Sequence, residues 1–85
     1  MVLKIFTKED GPEMREAKEL GTRLEELGYD IEYFDGDDSN ATGQVELYDV
    51  FSYPAFVVAR DDGSPLQTWR GEKPLESDLK QFLNQ

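Results

Sequence analysis

The chain has 85 residues, enough for one small domain, and we expect residues 1–85 to fold as a single domain. It contains neither cysteine nor histidine, which excludes disulfides, thiolate catalysis and the usual ligands of transition-metal sites, so no metal or cofactor is expected. Its net charge is −10, from 19 acidic and 9 basic side chains, and this acidity disfavours nucleic acids and anionic membranes as partners.

The first predicted elements are a strand and a helix. Val2–Thr7 is apolar and rich in β-forming residues, which is typical of a strand buried on both faces. A polar stretch ends this strand, and Pro12 follows at a position that suits the first turn of a helix. Asp10 is a candidate N-cap for that helix, because its carboxylate can accept hydrogen bonds from free amide groups.

The helix is predicted over residues 12–27, because apolar residues recur there at spacings of three and four. These residues are Met14, Ala17, Leu20, Gly21, Leu24 and Leu27. A glycine inside a helix costs about 1 kcal/mol relative to alanine, so Gly21 indicates a close approach between helix and sheet. Gly28 is predicted to end the helix as its C′ residue.

A second strand is predicted over residues 29–34, followed by a polar loop and a short helix. The apolar residues of that helix include Val45, Leu47 and Tyr48. The alternative for the loop is a calcium site, since acidic or hydroxyl residues occupy positions 1, 3, 5 and 12 of a twelve-residue pattern that begins at Asp35. The sixth position of that pattern requires glycine but holds Asn40, so a capped helix is favoured.

The last third of the chain predicts a hairpin and a final helix. Ala55–Ala59 is a continuous apolar run, residues 61–64 form the turn, and Pro65–Arg70 is the returning strand. Pro74 opens the helix, whose apolar residues are Leu75, Leu79, Phe82 and Leu83. The order is therefore β-α-β-α-β-β-α, in which the first two strands are parallel and joined by a right-handed crossover.

Three motifs in this order resemble the thioredoxin superfamily, and its small glutaredoxin-like members in particular. Residues 6–20 contain Lys8 and then Gly11-Pro12-Glu13-Met14, where such proteins carry a lysine and Cys-Pro-x-Cys. Residues 47–58 resemble the segment around the family's cis-proline, which implies a cis peptide bond before Pro54. The third motif combines the 62–63 turn with a strand that contains Trp69 and ends at Gly71. The resemblance implies an α/β fold, a four-stranded mixed sheet with helices on both faces.

The same resemblance places the family's redox pair on residues that cannot perform its chemistry. Gly11 stands at the nucleophilic cysteine and Met14 at the resolving one, and neither forms a thiolate for disulfide exchange. We therefore expect a redox-inactive domain and no enzyme. Residues 11–14 are either a remodelled ligand site or a plain loop-to-helix junction, and both interpretations stay open.

Two binding functions remain, and a structural accessory domain without a ligand is the third possibility. The first is a protein- or peptide-binding module, with an exposed apolar rim formed by Phe51, Tyr53 and Pro54 beside Pro12 and Met14. In the opposing interpretation Phe51 and Tyr53 face the core. The second function is non-covalent binding of glutathione or another thiol ligand through Lys8, which resembles the lysine that glutaredoxins use for the glycyl carboxylate. No signal-peptide pattern or run of about 18 apolar residues is present, so a cytoplasmic location is expected.

Overall fold

Four strands form one mixed sheet in the computed structural model, which describes residues 1–8 and 11–85. The strands are β1 (Val2–Thr7), β2 (Ile31–Asp35), β3 (Ala55–Ala59) and β4 (Pro65–Arg70), in the spatial order β2-β1-β3-β4. β1 and β2 are parallel, whereas β3 is antiparallel to both of its neighbours. The predicted α/β architecture is confirmed.

Helices cover both faces of the sheet. They are α1 (Pro12–Glu26), α2 (Thr42–Leu47) and α3 (Glu76–Leu83), and a short 3-10 helix, Ser39–Ala41, precedes α2. One core cluster lies under α1 and α3 and includes Leu3, Ile5, Leu20, Leu24, Phe56, Val58 and Leu79. The other lies between the opposite face and the α2 region and consists of Phe6, Tyr48, Val50, Ala55, Val57 and Ala59. Alternate residues of β1 and β3 thus supply the two clusters.

α1 begins at the predicted residue. Pro12 is its first residue and Gly11 is the N-cap, which has no side chain to accept a hydrogen bond. The predicted Asp10 cap lies outside the described residues. At the other end, the Gly28 and Tyr29 amides donate to the carbonyls of Glu25 and Leu24, and Gly28 has a φ of +98°, which is a Schellman ending.

That ending explains two differences from the predicted elements. Tyr29 belongs to the cap of α1, so β2 begins at Ile31 rather than at residue 29. Leu27 is the C-cap and is 59% exposed, so it leaves the apolar stripe on which it was predicted. A cap residue was also misplaced at the start of α3. Leu75 is the N-cap of this helix, has an extended backbone and is 69% exposed, so it is not part of the helix's buried face.

Gly21 confirms the predicted close approach of helix and sheet. It is buried, and a Cβ atom at this position would lie 2.6 Å from Tyr33 Oη and 2.7 Å from Ile5 Cδ1. Carbon atoms in ordinary van der Waals contact lie about 3.5–4.0 Å apart, so a side chain here would force the ends of the Tyr33 and Ile5 side chains to move.

The loop between β2 and α2 is a capped turn. The Asp35 carboxylate accepts the Asp37 amide at 2.9 Å, and the Asp38 carboxylate accepts the Asn40 amide at 2.9 Å. Residues 39–47 are helical, so they cannot form the second half of a coordinating loop. The structure therefore supports the predicted capped helix and contradicts the calcium alternative.

Candidate functional site

The junction between β1 and α1 carries no reactive side chain at residues 11–14. Pro12 and Glu13 are exposed, whereas Gly11 and Met14 are half-buried. Gly11 has an extended backbone, with φ −170° and ψ 170°, and a Cβ atom placed on it would meet only Glu13 Oε2, at 3.8 Å. This position would therefore accept a larger side chain without a change in backbone.

Two other chain segments meet near the carboxyl end of β1. The Tyr53–Pro54 peptide bond is cis, which is the isomer that the sequence resemblance implied. Pro54 is buried and precedes Ala55, which lies opposite Phe6 in the β1–β3 register. The Pro54 carbonyl accepts the Gly71 amide at 2.9 Å. The end of β1, the start of β3 and the end of β4 thus share one edge of the molecule.

Tyr53 is half-buried and is held between two segments of the chain. It packs against the Phe6 cluster, and the Lys8 Nζ atom lies 5.4 Å from its ring centroid. Gly36, just after β2, faces the same ring: a Cβ atom there would lie 2.5 Å from Tyr53 Cζ. A side chain at position 36 would therefore collide with the tyrosine ring.

Lys8 is exposed but already has interactions inside the chain. Its Nζ atom lies 4.0 Å from Asp37 Oδ1, and the same ammonium group lies over the Tyr53 ring. A ligand carboxylate bound to Lys8 would lie beside the negative charge of Asp37.

Phe51 is 75% exposed, so it is not a core residue. The Arg70 guanidinium carbon lies 5.3 Å from its ring centroid. The same guanidinium donates from Nε to the Asp49 carbonyl at 2.9 Å and from Nη2 to the Tyr48 carbonyl at 3.0 Å. Asp49 has a φ of +52°, and these two hydrogen bonds fix the turn that presents the phenylalanine.

Sequence reasoning missed a cleft beyond the carboxyl ends of β1 and β2. It has a volume of about 410 Å³ and is lined by Thr7, Lys8, Lys18, Tyr33, Phe34, Asp35 and Asp38. The signal that could have found it is the parallel pair itself, since crevices form where neighbouring parallel strands end. The lining residues are mixed in charge and select no single ligand class.

Sequence reasoning also missed Lys4, a cation in the middle of β1. Only 11% of its side chain is exposed, and its Nζ atom lies 2.6 Å from Gln44 Oε1 and 3.6 Å from Glu32 Oε1. The ammonium group also lies 5.0 Å from the Tyr48 ring centroid. The sequence did contain a signal for this site, because a lysine in a strand buried on both faces needs a partner for its charge. Its contacts tie α2 to the sheet.

The perturbed acid–base groups lie away from the Phe51 region. Burial and a 2.7 Å hydrogen bond to Glu25 raise the pKa of Tyr33 to about 12. Hydrogen bonds from Ser64 lower the pKa of Asp62 in the hairpin turn. Hydrogen bonds from Arg23 and then Lys80 lower the pKa of Glu76. None of the three marks a general acid or base near neutral pH.

Comparisons with solved structures agree with this architecture. The thioredoxin-like protein BC3987 matches with a TM-score of 0.61 and 26% identity over 95% of this chain and 99% of its own. The chain has a thioredoxin-superfamily fold. A thioredoxin from Thermus thermophilus matches with a TM-score of 0.61 and 20% identity over 95% of this chain and 69% of its own. A designed protein matches with a TM-score of 0.67 and 28% identity over 98% of this chain and 69% of its own.

No family model and no curated protein matches the sequence. This thioredoxin-fold chain has no cysteine, so it has no thiol for disulfide exchange. Within the described part of the chain, no helix is both long and apolar enough to cross a membrane. The same residues contain no group of three or more acidic side chains arranged to hold a metal ion.

Proposed function

We propose that this chain is a redox-inactive thioredoxin-fold module that binds a protein or peptide segment. The binding surface is formed by Pro12, Phe51 and Tyr53 and is called the Phe51 rim below; Pro54, which was also predicted on this rim, is buried behind it. The observation that carries the proposal is the exposure of Phe51, 75% of which faces solvent beside the Tyr53–Pro54 bond. Full burial of such a side chain would contribute about 1.5–3 kcal/mol to binding.

An extended segment suits this surface better than a compact ligand. Phe51 and its neighbours precede β3 directly, and the Gly71 amide fixes the backbone of Pro54 at the sheet's end. A bound segment could pair with the backbone beside Tyr53 in a short β-like arrangement while one apolar side chain covers Phe51. In this proposal the domain recognises a partner and performs no chemistry, and its cytoplasmic location stays a prediction.

The test is a selection from a random peptide library against the full chain and two variants. Phe51→Ser removes the exposed ring. Leu27→Ser is the matched control, because Leu27 is 59% exposed at the other end of α1, about 20 Å from its start. We expect selected peptides to bind the Phe51→Ser variant at least about tenfold more weakly, a loss of about 1.4 kcal/mol, and to bind the control normally. Absence of any Phe51-dependent peptide would contradict the proposal.

Glutathione binding is the second candidate, and one observation favours it: Lys8 lines the 410 Å³ cleft. The position of Asp37 weighs against it, because this carboxylate lies 4.0 Å from the Lys8 Nζ atom and would repel a glycyl carboxylate bound there. A titration with reduced glutathione at millimolar concentration, followed by amide NMR shifts, separates the two functions. Shifts at Lys8, Tyr53 and Gly71 would support glutathione binding, and an unchanged spectrum would exclude it.

A further inference from the structure

The outer edge of β2 is open to a further strand. β2 pairs with β1 on one side, and among residues 1–8 and 11–85 no strand lies on its other side. We infer that this edge binds an extended protein segment in antiparallel pairing, and that the segment carries an apolar residue followed two positions later by lysine or arginine. The edge shares no residue with the Phe51 rim and does not depend on the function proposed there.

Hydrogen bonds at both ends of the β1–β2 pair show which backbone groups of β2 face outward. The Leu3 amide donates to the Asp30 carbonyl at 2.9 Å, and the Gly36 amide donates to the Thr7 carbonyl at 2.7 Å. Because every second residue of a parallel strand bonds to the same neighbour, the even-numbered residues of this stretch pair with β1. The residues whose backbone groups point away from β1 are therefore Ile31, Tyr33 and Asp35.

These outward backbone groups leave most of their hydrogen-bonding capacity to a partner. The Asp35 carbonyl accepts the Asp38 amide at 3.0 Å. No other group in the described part of the chain bonds to the three outward amides or to the carbonyls of Ile31 and Tyr33. An edge strand with such a row of open donors and acceptors is a template for pairing with another chain.

The opposite edge of the sheet, formed by β4, is less open. β4 begins with Pro65, which has no amide hydrogen, and the β3–β4 register shifts between Val58 and Ala59. The Thr68 amide is occupied by Gln67 Oε1 at 3.1 Å. Proline and irregular register are devices that protect sheet edges from pairing. β2 has neither of them, so it is the edge at which a partner strand can add.

The register of the sheet gives the chemistry of the added strand. On the face that α2 covers, Lys4 lies beside Glu32, and two residues further along Phe6 lies beside Phe34. The Lys4 and Glu32 charged groups are 3.6 Å apart, and the centroids of the two stacked phenylalanine rings are 5.0 Å apart. An added strand continues both rows, so it places one side chain beside Glu32 and another beside Phe34. In an antiparallel strand the residue beside Phe34 comes first, which gives the order apolar, any residue, basic.

Glu32 can receive a second cation. Its side chain is 54% exposed, whereas that of Lys4 is 11% exposed. Neighbouring strands lie about 4.8 Å apart, so a cation on the added strand would lie one strand spacing from Glu32 and two from Lys4. Attraction to the nearer charge exceeds repulsion from the farther one, which salt also screens more strongly. The far end of β2 is mixed in charge, because Lys8 and Lys18 line the cleft there with two aspartates, so selection by charge falls on Glu32.

A second copy of the chain fits this edge less well than a basic segment. β2 contains no lysine or arginine, so two copies paired through this edge would bring a second acidic strand beside Glu32. Each copy also carries a net charge of −10. The occupant that we infer is therefore a different protein segment.

The test is a selection from a random peptide library against the full chain carrying Phe51→Ser, which keeps peptides for the Phe51 rim out of the result. We expect the selected peptides to share an apolar residue followed two positions later by lysine or arginine. The amides of Ile31, Tyr33 and Asp35 should exchange hydrogen rapidly in the free chain, and at least about tenfold more slowly with the best peptide bound. The even-numbered amides of β2 already bond to β1 and should change less.

Two single substitutions test the charge of Glu32. Glu32→Gln should weaken binding of the best peptide about two- to fivefold, because it removes an opposite-charge pair between neighbouring strands. Glu72→Gln is the matched control, since Glu72 is exposed and follows β4, about 14 Å or three strand spacings from β2. This distance exceeds the Debye length of about 8 Å at physiological salt, so the control should change affinity less than about 1.5-fold.

The possible failures are distinguishable. Selected peptides without a cation at the expected position, or equal losses in the two glutamine variants, would overturn the basic segment. Peptides that bind without slowing exchange at the outward amides would overturn the edge as the binding surface. Slow exchange of these amides in a concentrated solution of the chain alone would show that the occupant is a second copy. None of these results bears on the Phe51 rim, which has its own selection.

Discussion

At the scale of single residues, Gly21 sets the distance between α1 and the sheet. Gly21→Ala would gain about 1 kcal/mol from helix propensity, but its methyl group would lie less than 3 Å from Tyr33 and Ile5. Because overpacking a rigid core costs about 1–3 kcal/mol, we expect a net loss in the free energy of unfolding, measured by urea denaturation.

Gly43→Ala is the matched control for this prediction. Gly43 lies in α2, and nothing lies within 4 Å of a Cβ atom placed on it. The same substitution should therefore leave stability unchanged or raise it by up to about 1 kcal/mol. If the two variants behaved alike, the close approach at Gly21 would not be the reason for its glycine.

Tyr33 gives the fold a dependence on alkaline pH. Burial and the Glu25 hydrogen bond raise its pKa to about 12 in the folded chain, above the value of about 10 in an unfolded one. Between these values the folded state binds more protons than the unfolded state, so stability falls as the pH rises from about 10 to 12. Phenolate absorbance should include a late ionisation step, and Tyr33→Phe should remove that step. Its persistence in the variant would assign it to another residue.

At the scale of elements, Lys4 joins β1 to α2. Its ammonium group donates a hydrogen bond to Gln44 Oε1 and lies over the Tyr48 ring. A hydrogen bond that involves a charged group contributes about 1.5–3 kcal/mol to stability. We expect Lys4→Ala to lower the free energy of unfolding by about 1–3 kcal/mol, with faster hydrogen exchange in α2. Lys4→Met keeps most of the aliphatic part of the side chain, so it should lose less stability than Lys4→Ala. Equal losses of stability in the two variants would mean that the aliphatic part of Lys4 contributes little to packing.

The β1–α1 junction allows a gain-of-function test of the sequence registration. If Gly11 and Met14 stand where the family has its cysteines, Gly11→Cys combined with Met14→Cys should create a dithiol that reduces insulin disulfides above the wild-type background. The extended backbone of Gly11 leaves room for the thiol, and a helix N-terminus favours thiolate formation.

The control for the cysteine pair places the same spacing elsewhere. Glu19→Cys with Thr22→Cys puts two thiols three residues apart on the exposed face of α1, away from its start. We expect this variant to stay near background. Equal activity in both double variants would contradict the registration, because the position of the pair would then not matter.

The elements most readily predicted are those whose signals are local. β3 and β4 have the predicted bounds, because a continuous apolar run and a glycine-containing turn define them without help from the rest of the chain. Tyr29 and Leu75 were placed wrongly because cap geometry, not periodicity, decides where a helix ends. The exposure of Phe51 stayed open because it depends on Arg70, which lies nineteen residues further along the chain.

At the scale of the whole molecule, the candidate site depends on topology that no local pattern contains. Pro54 and Gly71 meet through a hydrogen bond because β3 and β4 are antiparallel neighbours, and Lys8 meets Tyr53 because β1 lies beside β3. The resemblance could place these residues in order, but only the folded chain shows that Lys8 is paired and Phe51 exposed. The recognition proposed at this edge therefore depends on strand order rather than on any single motif.

The net charge of −10 predicts how the stability of the whole molecule responds to salt. The molecule measures 30 × 29 × 18 Å, comparable with the Debye length of about 30 Å at 10 mM salt and well above about 8 Å at 150 mM. At 10 mM salt, carboxylates across the whole molecule therefore repel one another. At 150 mM salt, only neighbouring carboxylates repel one another appreciably. The exposed ion pairs, such as Arg23 with Glu76, contribute little to stability. Added salt therefore weakens these attractions by less than it weakens the repulsion between carboxylates.

We accordingly expect sodium chloride at 150 mM to raise the midpoint of thermal unfolding by about 4–8 °C over the value at 10 mM, equivalent to about 1 kcal/mol for a domain of this size. The variant with Glu19→Gln, Glu26→Gln and Asp30→Asn should show a smaller rise, because its folded state starts with less repulsion. A midpoint that falls with added salt would show that the ion pairs, and not the surplus of carboxylates, dominate the electrostatics of the folded chain.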